Sequence, residues 1–145
     1  MLPPQDKNGD LPPGIHPATW AEVAERFGTR PDTRVRALAR LRHLHELAAR
    51  TGKLRRILIF GSFVSSTADP RDVDVVLVMA TDFKLEESPR ECRTVFSHAD
   101  AQARYGASIF WLREGMLSDT LMGQFLDVWQ TKRDGLRRGI VEVQS

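Results

Sequence analysis

Two short apolar runs, Ile57–Phe60 and Val73–Met79, limit what this chain can fold into more than any other feature. Both are too short for buried helices and rich in β-branched residues, so they predict strands, the first reaching back to Leu54. The first run stops at Gly61-Ser62. A polar stretch closed by Asp69-Pro70 follows, and Asp72-Val73-Asp74 opens the second run. Successive strand residues point to opposite faces, so Asp72 and Asp74 share one. Adjacent carboxylates repel, and burying them uncompensated is costly, so the pair needs a cation or an exposed position. A hard divalent cation takes one or two carboxylates together with phosphate oxygens. Gly61 lets backbone approach closely, and the Ser62 hydroxyl with nearby N–H groups can bond such oxygens. The bland alternative is a surface turn with two solvated aspartates capping a strand.

Gly61-Ser62, nine intervening residues and then Asp72-Val73-Asp74 resembles the signature of the nucleotidyltransferase superfamily of the DNA polymerase beta type. That superfamily includes antibiotic nucleotidyltransferases and the minimal bacterial nucleotidyltransferases of toxin–antitoxin pairs. Leu11 to Pro17 and Gly135 to Val143 look like an uncharacterised bacterial family with the same core. The resemblance implies an α/β (α+β) fold, a small mixed sheet flanked by helices. Gly61 and Ser62 would bind the triphosphate of an NTP, and Asp72 and Asp74 would be catalytic and hold Mg2+ (or Mn2+). The implied reaction moves a nucleoside monophosphate to an acceptor: an RNA end, a protein hydroxyl or a small molecule. The family pattern sets a third carboxylate in the next strand, where this chain has Ala107 and Ser108. That departure keeps a second reading open: a degenerate member that binds a nucleotide or a partner as a regulatory module, for example in a toxin–antitoxin or defence system.

The rest of the chain predicts helices around this pair of strands. Residues 1–17 hold five of the eight prolines and predict an extended arm, pinned by Leu11 and Ile15, with its first ten residues loose; residues 18–145 predict a single domain. Thr19 with Glu22 is a capping box for a helix ending before Gly28. Asp32 or Thr33 is the expected cap of a longer helix to about Arg50. A short helix is expected over Phe63 to Ser66. Ser88-Pro89-Arg90-Glu91 predicts another capped helix to about Arg104. Gly106 to Leu112 reads as a third strand. Asp119 to about Trp129 reads as a helix burying Leu121, Phe125, Leu126 and Trp129. Gly139 to Val143 reads as a closing edge strand.

Composition excludes some classes of function. Net charge is +2, too mild to argue for nucleic acid by itself. Nine basic residues face two acidic ones between Arg30 and Arg56, a bias read as a solvated helix face before a nucleic-acid surface. His43 and His45 are two apart and cannot pair as metal ligands on one helix face. Lys132, Arg133 and Arg71 are read as loop charges within conceivable reach of a triphosphate. The single cysteine, Cys92, excludes an internal disulfide. With no leader-like start and no apolar run long enough to span a bilayer, a cytoplasmic protein without membrane contact is expected. A homodimer or a partner protein is the expected way to complete an acceptor site in so short a chain.

Overall fold

The computed structural model describes residues 2–70 and 72–144; Arg71 lies outside them. The fold is mixed α+β: five helices and a five-stranded mixed sheet among the described residues. The elements run β1 (Ile15–Thr19), α1 (Trp20–Phe27), α2 (Asp32–Ala49), β2 (Leu54–Phe60), β3 (Val73–Met79), α3 (Arg90–Arg93), α4 (His98–Tyr105), β4 (Ala107–Arg113), α5 (Asp119–Gln130) and β5 (Ile140–Gln144). Short 3-10 turns lie at Ser62–Val64, Leu85–Glu87 and Thr94–Phe96. No helix among the described residues is long and apolar enough to cross a membrane.

The sheet order is β1-β5-β2-β3-β4. β2 runs antiparallel to β3 and β5, whereas the β3–β4 and β1–β5 pairs are parallel. The predicted closing edge is therefore an inner strand, because the proline-rich arm supplies β1 outside it. The arm is also tied down before β1, contrary to the expectation of a loose start. Leu2 and Leu11 are buried in the core, and the Gly139 N–H donates to the Leu11 carbonyl at 2.9 Å.

Local signals explain most boundaries. Thr19 and Glu22 form the predicted capping box, and Gly28 closes α1. α2 differs: Pro31 holds the N-cap position without a side-chain cap bond, and the Thr33 hydroxyl instead donates to Asp69 at 2.7 Å. The helix expected from Ser88 to Arg104 is broken. No side chain caps α3. Ser97 turns extended and starts α4 afresh, its hydroxyl accepting from the Asp100 N–H. The break rotates the buried face, so Ala101 and Tyr105 point inward while Ala99 and Ala103 are exposed.

Alternation along the strands divides the core in two. Ile57, Ile59, Val73, Val75, Leu77, Ala107 and Ile109 face a large cluster under α1, α2, α3 and α4, with Phe27, Leu41, Leu44 and Phe63. Leu58, Phe60, Val76, Val78 and Ile140 face a small cluster covered by Met122, Leu126 and Trp129 of α5. The stripe predicted for α5 is only partly buried: Leu121 is 46% exposed and Phe125 44%.

Candidate functional site

The bend and the acids meet. In the antiparallel pairing of β2 and β3, Phe60 lies opposite Asp74, which brings Gly61 against the Asp74 side chain. Gly61 has φ 83° and ψ −161°, a region essentially restricted to glycine. A Cβ added there would lie 2.1 Å from Asp74 Oδ2. Gly61 is thus fixed twice, by its backbone conformation and by the carboxylate lying over its α-carbon. The half-buried Ser62 follows, opening a 3-10 turn in which the Val64 N–H donates to the Gly61 carbonyl at 3.3 Å.

Arg34 holds this turn from below, and nothing in the sequence pattern singled it out. It is 4% exposed. Its guanidinium donates to the carbonyls of Phe63 at 2.7 Å, Ser65 at 2.6 Å, Phe27 at 3.2 Å and Thr67. Burial pushes its pKa down and Asp69 pushes it up. A planar fork of donors suits such a ring of carbonyls, which a lysine could not match.

Asp74 alternates onto the face opposite Val73 and Val75, and Asp72, just before β3, is near enough for its charge to act on it. Burial first, and the Asp72 charge second, raise the Asp74 carboxyl from 3.8 to about 6, while Arg138 works in the opposite direction. Arg138 belongs to a second charged group beside the turn. Asp10, 2% exposed, pairs with Lys132 Nζ at 2.7 Å and stands 3.8 Å from Arg138. The Arg138 Nε is buried without a hydrogen-bond partner among the described residues. Lys132 is therefore engaged by the arm, and Arg133 is exposed.

Ser108 lies in register beside Asp74 on the parallel strand β4, so the neighbouring position on this face carries a hydroxyl. Gln102 of α4 joins the two: its Nε2 donates to Asp72 Oδ1 at 3.0 Å, and its Oε1 accepts from Ser108 Oγ at 3.3 Å. Among the described residues no three or more His, Cys, Asp and Glu side chains group as a metal cage. Two neighbouring carboxylates fit a cation that completes its shell with phosphate and water oxygens, as magnesium does.

A family model covers residues 3–144, described as a family of unknown function, DUF6932. The chain belongs to DUF6932. No curated protein and no solved structure matches it. The DUF6932 match spans the arm as well as the sheet, in keeping with an arm that carries Asp10 to the Gly61–Ser65 turn. Within this DUF6932 chain, Gly61, Ser62, Asp72 and Asp74 were legible from the motif. Gln102, Arg138 and Asp10 were not, since they reach the site through tertiary folding from distant parts of the sequence.

Proposed function

We propose that this protein is a metal-dependent nucleotidyltransferase that moves a nucleoside monophosphate from an NTP to an acceptor. The observation that carries the reading is the close approach of the Gly61 bend to the Asp74 carboxylate. Gly61 and Ser62 would receive the triphosphate, and Asp72 and Asp74 would hold Mg2+ or Mn2+. The bound cation would neutralise charge on the phosphates and on the leaving group. Asp74 must be ionised to serve as a ligand, and a cation offsets the burial and repulsion that raise its pKa. Arg138, counter-charged by Asp10 on one side and Asp74 on the other, would add a donor toward the phosphates. Gln102 would fix the rotamer of Asp72.

One observation favours the second reading, a module that binds the nucleotide without transferring it. Ser108 occupies the register position beside Asp74, and Gln102 already engages both it and Asp72. Neither supplies a strong base toward an acceptor hydroxyl. The test is incubation with each labelled NTP, Mg2+ or Mn2+ and cell lysate. Transfer that falls at least about a hundredfold in Asp74→Ala, roughly 2.7 kcal/mol of barrier, supports the enzyme. Metal-dependent nucleotide uptake without transfer supports the module, and Ser108→Asp should then create activity. No uptake of metal-loaded NTP at all overturns both.

A further inference from the structure

The arginines of α2 divide sharply once their partners are known. Arg34 is buried against carbonyls. Beyond the helix, Lys53, Arg55 and Arg56 pair with Asp82, Glu114 and Glu142. Arg36 and Arg40 pair with no acid among the described residues, and they stand one helical turn apart on the same face, where side chains are neighbours. His43 continues that stripe. Arg36 and Arg40 line a cavity of about 300 Å³ that also touches Asp69, Val73 and Gly106. Arg40 and Tyr105 continue into a second, open cavity of about 510 Å³ with His43 and Arg104. The two cavities form one groove between α2 and α4.

We infer that this groove binds the backbone of a single-stranded nucleic acid. Three arginines without acidic partners present forks suited to phosphate oxygens. No lysine lines either cavity. Exposed His43 packs its ring against Tyr105 at 5.7 Å, giving a base a flat surface amid the charges. One acid, Asp69, lines the groove. It accepts from the Thr33 hydroxyl and its charge acts on the buried Arg34. Among the described residues no ion pair joins it to Arg36 or Arg40, while Glu46 stands 3.9 Å from His43. One end of the groove reaches Val73, next to Asp72, and the strand bearing Ser108 starts beside Gly106. The inference goes beyond the nucleotidyltransferase reading, and binding needs neither metal nor NTP.

Binding of fluorescent single-stranded RNA and DNA oligonucleotides, without divalent cation or nucleotide, tests it over a range of salt. Three phosphate contacts predict a slope of log K against log salt of about −2. Arg36→Gln with Arg40→Gln should weaken binding roughly tenfold or more and remove about 1.4 of that slope. Arg50→Gln, exposed at the far end of α2, should leave the slope unchanged, and all variants should melt like the parent. Absent binding at low salt, a slope insensitive to the double substitution, or tighter binding of poly-glutamate than of RNA would each overturn the inference, the last by pointing to an acidic protein. Oligonucleotide binding without NTP uptake would keep the groove and discard the transferase, and NTP transfer without oligonucleotide binding would do the reverse.

Discussion

The two faces of the sheet are built from the same strands yet do different work. Under α1, α2, α3 and α4, side chains such as Phe27, Leu41, Leu44, Ile59 and Leu77 are essentially excluded from water. Under α5 the cover is a single helix, and it leaves Leu121, Phe125 and Val128 of its own surface and Phe110 of β4 at 44% exposure or more. Asp74 and Ser108 alternate onto this thinner face, together with Phe60. Phe60 stacks on Trp129 with centroids 5.5 Å apart. One face supplies the stability, so the other can carry a carboxylate repelled by its neighbour Asp72. Strain at functional positions is expected to be offset elsewhere in this way.

The sharpest way to break that comparison is a matched pair of truncations. Leu44→Ala on the thick side should cost about 3–4 kcal/mol through lost burial and a residual cavity. Leu121→Ala on the thin side should stay within about 0.5 kcal/mol. Urea midpoints measure both, and equal losses would show that α5 is as deeply integrated as the other helices.

The next effect is at the bend. Gly61→Ala should cost about 2–4 kcal/mol, from backbone strain and from the clash with Asp74 Oδ2. In an Asp74→Ala background the carboxylate is gone, the strain alone remains, and the loss should shrink by about 1 kcal/mol or more in a double-mutant cycle. Strict additivity would mean that the carboxylate moves aside at no cost.

The smallest effect is a gain. The folded Asp74 has a raised pKa, so its ionisation works against folding: the cost from this group is absent below about pH 4 and grows as pH rises through about 6. At pH 7.5 Asp74→Asn should therefore stabilise the protein by about 1–2 kcal/mol after allowance for solvent screening, or about 3–6 °C in Tm. At pH 4 the gain should vanish. A gain of the same size at both pH values would show that charge is not its cause.

What the sequence made legible follows from how local each signal is. The strand limits of β3 and the α1 capping box depend on neighbours a few residues apart, and the structure has them as expected. α2 was expected to start from an Asp or Thr cap; Thr33 turns away to Asp69, a partner visible only in three dimensions. The helix after Pro89 was overextended because Ser97 reads as an ordinary helical residue until its extended backbone is known. β1 was read only as an extended arm, since a parallel strand with a proline in it pairs with β5 through contacts no local window contains. The same limit hid Gln102 and Arg138 from the site, and it hid which α2 arginines lack acidic partners.

The pairing of Ile15 with Ile140 has a kinetic corollary. The arm emerges well before β5 during synthesis, and its own strand cannot dock until β5 has followed. Until then β2 exposes an open hydrogen-bonding edge where β5 will later insert. Closing so long a loop is slow; a product that stops short of Ile140 leaves the nascent sheet open to pairing with foreign strands, and one that stops short of Lys132 also leaves Asp10 without Lys132 and Arg138.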